Sequence, residues 1–217
     1  MASPSADPTL VPGERPSSIS PSSTRTPRAA LAELLAGNRR FVGGQPLHGH
    51  DVAAAAAASG DQRPHAVVVG CIDSRVPLEA VFDQTFGSMC VVRSGAHVLD
   101  QAVRGSIDFA VTVLGVPLVM VLGHERCGAV AATVRALQTG DRPGGGLGYL
   151  VDEIAPAVLD VGLDDPRVAS AATRRHIIRT VAELAAREPL ASAVADGSVE
   201  VVGAIYDLDS GRVDLLA

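Results

Sequence analysis

Four short apolar runs stand out along the chain: His65-Ala66-Val67-Val68-Val69-Gly70-Cys71, Met89-Cys90-Val91-Val92-Arg93, Pro117-Leu118-Val119-Met120-Val121-Leu122-Gly123 and Val199 to Tyr206. They are continuous rather than alternating, the pattern of strands covered on both faces. Ahead of them Ala29, Leu31, Leu34, Leu35 and Phe41 recur at helical spacing until Gly43-Gly44, predicting a helix over about 29–42. The alanine run at 53–58 predicts a second short helix, and further helical patterns fall at roughly 99–114, 128–138, 149–159 and 170–187. Pro143 with Gly144, Gly145 and Gly146 reads as a loop, and no internal repeat is present. Strands alternating with helices predict an α/β fold: a mainly parallel central β-sheet flanked by helices, with an N-terminal helical arm. Residues 1–27 carry Pro4, Pro8, Pro12, Pro16, Pro21 and Pro27 among serines and threonines. Such a stretch buries too little apolar surface to offset its ordering entropy, so it is expected to be a disordered tail before a single domain over 28–217.

Composition narrows the function classes. All 18 basic residues are Arg, against 24 Asp plus Glu, for a net charge of −6. Without clustered positive charge, neither a nucleic-acid groove nor an anionic-membrane patch is expected. Aromatic content of 3% with no Trp speaks against base-stacking platforms and sugar-binding clefts. No apolar run approaches the ~20 residues that span a bilayer. Cys71, Cys90 and Cys127 are too few and too odd for a disulfide framework. The N-terminus shows no basic region followed by an apolar stretch, so no signal peptide is expected and the reducing cytoplasm is the expected compartment.

The chemistry gathers at strand ends, where parallel sheets place their functional groups. The first predicted strand ends in Cys71-Ile72-Asp73-Ser74-Arg75, the third in Gly123-His124-Glu125-Arg126-Cys127-Gly128. If both ends meet above the sheet, Cys71, His124 and Cys127 supply two thiolates and an imidazole, a set that suits tetrahedral Zn²⁺. His124 and Cys127, three apart at the start of a helix, share a face, and the helix N-terminus favours the thiolate. Three protein ligands leave a fourth position, the mark of a catalytic zinc site. Asp73 has two possible partners. It can close the metal's coordination, or pair with Arg75 and accept a hydrogen bond from zinc-bound hydroxide. Bland readings suffice elsewhere: Cys90 as a small buried hydrophobe, His48 and His50 in a solvated loop, His65, His97 and His176 as structural residues, Asp164-Asp165 as a loop or cap.

At these residues the sequence resembles the β-class carbonic anhydrases: Cys-Ile-Asp-Ser-Arg, then Val91-Val92-Arg93-Ser94-Gly95-Ala96-His97, then Gly-His-x-x-Cys-Gly. The resemblance begins at Leu34-x-x-Gly37-Asn38-x-Arg40-Phe41 and runs through Gly105-Ser106-Ile107-Asp108-Phe109-Ala110-Val111 to the terminal strands. It implies reversible hydration of CO₂ to bicarbonate and a proton, with one Zn²⁺ per chain on Cys71, His124 and Cys127. It also implies Asp73 and Arg75 as the catalytic dyad, Asp73 being the alternative fourth ligand of a closed form. Gln62 matches a glutamine directed at substrate, Gly128 part of the same pocket, and Val68, Cys90, Gly95, Ala96 and Phe109 its apolar lining. Where some bacterial members place Trp, Arg and Tyr to bind bicarbonate away from the zinc, this chain has Val68, Arg93 and Phe109, so weak or no inhibition of that type is expected. The resemblance further implies a homodimer, paired or not into a tetramer, with the 29–42 helix crossing to the partner and Gln62 serving the neighbouring zinc. Three other readings keep or alter the site: carbonyl sulfide or carbon disulfide hydrolysis, a non-catalytic zinc-binding protein, and a thiol redox protein. Intact Asp73, Arg75 and Gln62 argue against the second, and the lack of a local Cys-x-x-Cys against the third.

Overall fold

The computed structural model describes residues 25–216, so residues 1–24 of the predicted tail at 1–27 lie outside the described residues. Five strands form one sheet in the order β2-β1-β3-β4-β5: β1 (Ala66–Cys71), β2 (Met89–Ser94), β3 (Leu118–His124), β4 (Glu200–Tyr206) and β5 (Val213–Leu216). The first four run parallel, and β5 returns antiparallel beside β4. The helices are α1 (Pro27–Val42), α2 (Val52–Ala57), α3 (Leu78–Val81), α4 (Gln101–Thr112), α5 (Gly128–Thr139), α6 (Gly145–Val161), α7 (Val168–Ala186) and α8 (Leu190–Ala195). Each apolar run became a strand and each helical pattern a helix. The short α3 and α8 and the edge strand β5 carry too little periodicity to be read in advance. The glycine cluster is not wholly a loop, because α6 already begins at Gly145. Pro27 belongs to α1, where it takes the first helical position behind the Thr26 cap, a place that costs proline no hydrogen bond.

Both faces of the sheet are covered. Val67, Val69, Val119 and Val121 pack under α4, α7 and α8, with Ile107, Ile177, Leu184 and Leu190. Val68, Leu118, Met120 and Leu122 pack on the other face with Leu34 of α1 and Leu78, Val81 and Phe82 around α3. A third apolar cluster, formed with α5, α6 and α7, contains Cys71 and Cys127. Strand order matters for function: β1 lies between β2 and β3, so the connections leaving β1 and β3 diverge, and their carboxyl ends form the switch point where such sheets place functional groups.

The Leu34-x-x-Gly37-Asn38-x-Arg40-Phe41 segment seats α1 on its own chain. A Cβ at Gly37 would lie 1.7 Å from the Phe82 carbonyl oxygen, so only glycine allows this approach. Buried Asn38 donates to the carbonyls of Val81 (3.1 Å) and Gly211 (2.9 Å) and accepts from the Val213 N–H (2.9 Å). Arg40 pairs with the buried Asp83 carboxylate, which also accepts from the N–H groups of Leu47 and His48. Within its own chain α1 packs against α3 and the start of β5, and no residue from Gly43 to Ala57 is buried except in part. Asn38→Leu leaves three backbone groups without their partner, two of them buried, so it is expected to lower stability by about 4 kcal/mol, measurable as a shift in the urea midpoint at unchanged slope.

Candidate metal centre

β1 delivers Cys71 at its last residue and β3 delivers His124 at its last residue. The two strands are hydrogen-bonded neighbours in the register Gly70 to Leu122, so these ends emerge side by side. Arg126 then adopts a left-handed conformation (φ 54°) that turns the chain back, and Cys127 follows as the N-cap of α5. A Cβ at Gly123 would stand 2.5 Å from the Ile177 side chain, so glycine lets α7 press against the strand end that carries His124.

The donor atoms of Cys71, His124 and Cys127 lie within 4.8 Å of one another and all three residues are buried. Among the described residues this is the one such group of three, and the His48–His50 loop forms none. His124 Nδ1 sits 2.9 Å from the Glu125 carbonyl oxygen, which can only accept, so the proton is on Nδ1 and Nε2 presents its lone pair. That buried Nε2 has no hydrogen-bond partner among the described residues. A buried unpaired acceptor is costly, and a cation beside two sulfurs removes the cost. The donor chemistry therefore fits Zn²⁺.

Electrostatics point the same way. The neighbouring Cys127 thiol and the N–H groups of Asp73 and Ala96 pull the Cys71 thiol down, against the opposing effect of burial. Cys127 is pushed up, first by donating to that thiolate and then by burial, although the amides of Val130 and Ala129 at the α5 N-terminus oppose this. A metal that binds both sulfurs displaces the protons they carry.

Of the two possible partners for Asp73, the structure shows Arg75. Its Nε donates to Oδ1 at 2.9 Å, its Nη2 to Oδ2 at 2.7 Å, and the Arg75 backbone N–H to Oδ1 at 2.9 Å. Asp73 Oδ2 also lies 3.8 Å from His124 Nε2, so the carboxylate faces the donor set. The Arg75 contacts hold its carboxyl well below the usual carboxylate range. Arg93 bridges the same loop, donating to the carbonyls of Cys71 (2.8 Å) and Asp73 (2.6 Å). Its guanidinium is committed to backbone, a role that no local pattern announces.

The other expected pocket residues divide. Gly95 and Ala96 form the turn after β2, where the Ala96 N–H reaches Cys71 Sγ at 3.4 Å, and Gly128 opens α5 directly after Cys127. Val68 is buried in the core on one face of the sheet, Cys90 packs against the core on the other, and Phe109 is 53% exposed on α4. None of these three shares the apolar cluster of Cys71 and Cys127, because alternation along β1 turns Val68 away from the face used by Cys71. Gln62 is exposed beside Gly87 in the segment that leads into the amino end of β1, whereas the donor set stands at the strand's carboxyl end. Behind the site His97 and His176 stack, ring centroids 4.6 Å apart at 19°.

A family model described as carbonic anhydrase matches residues 66–213. Carbonic anhydrase 2 of Mycobacterium tuberculosis is 46% identical over 191 residues, covering 87% of this chain and 92% of its own. A carbonic anhydrase of Mycolicibacterium smegmatis is 46% identical over 194 residues, covering 87% and 93%. Among solved structures, one from work on two tetrameric β-carbonic anhydrases of Sordaria macrospora superposes with a TM-score of 0.68 at 23% identity, covering 86% of this chain and 96% of that one.

Burial holds His176 neutral, its pKa lowered to about 4, and keeps His97 well below the ordinary value. The unfolded chain protonates both near pH 6.5, so it binds more protons below that pH and stability falls as pH drops from about 6.5 towards 4. The His176 share is about 3 kcal/mol. Urea unfolding across this range is expected to slope less steeply in His176→Gln than in the wild type.

Proposed function

The chain belongs to the β-class carbonic anhydrase family, a family of lyases, and from that membership we propose that it catalyses CO₂ + H₂O ⇌ HCO₃⁻ + H⁺ with one zinc ion per chain held by Cys71, His124 and Cys127. The observation that carries this reading is the buried donor set with an unpaired His124 Nε2, facing a carboxylate that Arg75 has already engaged. Bound there, zinc supplies the Lewis acidity that makes water a nucleophile, an effect best known from carbonic anhydrase itself in its three-imidazole form and weakened here by two thiolates.

The chain's own residues do the rest. Asp73 stays ionised throughout the working range, so it serves as a hydrogen-bond acceptor that orients the attacking water, not as the base that takes its proton. Arg75 keeps that carboxylate from turning to the metal, since the bidentate pairing occupies both oxygens in a fixed plane. CO₂ is small and apolar, and the apolar cluster around Cys71 and Cys127, with Ala96, Val98 and Val130, keeps the donor set largely dry.

Oligomerisation completes the proposal. Among the described residues the β2 edge is unpaired on its outer side, and Ile72, Phe86, Phe109 and Val113 are exposed apolar residues. A homodimer, in some assemblies doubled to a tetramer, would cover such surface and bring Gln62 towards the zinc of a second copy. Tetrameric relatives in the same fold support the assembly in general. The three free cysteines suit a reducing compartment, and we place the enzyme in the cytoplasm. No described helix is long and apolar enough to cross a membrane.

Stopped-flow CO₂ hydration with metal analysis of the same sample tests the reading. Asp73→Ala is expected to lower kcat/KM by about 10²-fold at unchanged zinc content, and Cys127→Ala to lose zinc and turnover together. Zinc without CO₂ turnover in the wild type would overturn the substrate assignment in favour of a sulfur analogue. Activity is also expected to rise through the alkaline range because thiolate donors make the metal a weaker acid. A flat profile from mildly acid to alkaline pH would contradict that.

A further inference from the structure

Directly behind the donor set, Ala96 and His97 adopt successive left-handed conformations, with φ of 49° and 51°. Neither is glycine, and two such residues in a row persist only where their surroundings hold them. The turn they form has one clear consequence for the site: the Ala96 N–H points at Cys71 Sγ, 3.4 Å away. Its other side is held from α7. His176 Nε2 lies 3.0 Å from the Ala96 carbonyl oxygen, and the His176 ring stacks on His97. Ser94 and Val98 close the turn from outside, Ser94 Oγ donating to the Val98 carbonyl at 2.7 Å.

The hydrogen-bond partners decide what the two rings do. A carbonyl only accepts, so His176 carries its proton on Nε2. Thr180 donates its hydroxyl proton to the His176 carbonyl at 2.9 Å, so its oxygen accepts from His97 Nδ1 at 3.4 Å. With the rings face to face and each proton directed elsewhere, the pair is a brace and offers no proton path between the rings.

We propose that His176 is a positioning residue for the Cys71 sulfur: by gripping the Ala96 carbonyl it holds the left-handed turn, and the turn holds the Ala96 N–H on the sulfur. This rests on the reading of Cys71 as a zinc ligand. An amide donating to a metal-bound thiolate draws charge from the sulfur and fixes its orientation, and outer contacts of this kind typically carry 10- to 100-fold in metal affinity.

The test uses the full chain loaded with zinc, and separately with cobalt, in wild type and in His176→Gln, His176→Met and His176→Phe. Gln and Met are nearly isosteric, but only Gln can donate to the Ala96 carbonyl, whereas Phe keeps the ring and the stack without the donor. Three quantities are read: hydrogen exchange of the Ala96 amide, the rate of zinc transfer to a chelator, and the sulfur-to-cobalt charge-transfer band. In Met and Phe, Ala96 exchange and zinc release are expected to quicken, release by about tenfold, with a displaced band. Gln is expected to stay near the wild type. Met and Phe matching the wild type would overturn the proposal, as would Gln failing alongside them. If Phe does not fold, the Gln and Met pair decides alone. A wild-type chain that takes up neither metal would remove the zinc reading and this role with it, whereas normal metal uptake with insensitive variants removes only the role of His176.

Discussion

Two sulfurs and an imidazole nitrogen are buried together where water cannot satisfy them, and the surrounding structure is arranged about that requirement. A lone pair on His124 Nε2 without a partner, beside two buried sulfurs, is unfavourable in a protein interior. The arrangement persists because each donor is carried by rigid backbone: Cys71 and His124 end two hydrogen-bonded parallel strands, and Cys127 caps a helix. None can retreat to solvent without undoing the sheet or α5. A site that is poor at satisfying itself and unable to relax is well prepared to receive a cation.

Backbone strain is concentrated nearby. Among the described residues, the non-glycine residues with positive φ are Asp83, Ala96, His97 and Arg126. Arg126 turns the chain between His124 and Cys127, and Ala96 and His97 form the turn that meets Cys71. Asp83 lies elsewhere and anchors Arg40 and the segment leading to α2. Three of the four therefore border the donor set, and each is held by side chains from distant parts of the chain: Asp209 engages Arg126, while His176 and Thr180 engage the Ala96–His97 turn. Such conformations survive where the packing around them over-determines the backbone.

The Asp73–Arg75 pair sets the character of the site. A carboxylate beside a metal-binding group has a strong tendency to become a ligand, and here it is occupied by a bidentate guanidinium whose own backbone N–H adds a third contact. Arg93 steadies the same loop from β2 by taking the Cys71 and Asp73 carbonyls. That engagement also bears on the expectation about bicarbonate: the one basic group at the corresponding positions is turned inward to backbone, and Val68 is buried in the core.

Much of this was legible before any coordinates. Continuous apolar runs marked β1 to β4, since strands of a sheet covered on both faces confine their polar residues, here Arg93, Ser94, His124 and Glu200, to the strand ends. Cys71, His124 and Cys127 stood out because soft donors at the carboxyl ends of parallel strands have few other uses. What sequence could not determine was which groups meet across long separations. The choice of Arg75 for Asp73 required the loop's actual path. The seat of α1 on its own chain depended on Gly37 and Asn38 meeting Phe82 and β5. Arg93 reaching the Cys71 loop, and His176 reaching Ala96 from eighty residues away, followed from packing alone. Residue types and their periodicity are local properties of the chain, so they specify elements and candidate donors. Pairings between side chains depend on direction and distance in three dimensions, and those exist only once the sheet has brought the strand ends together.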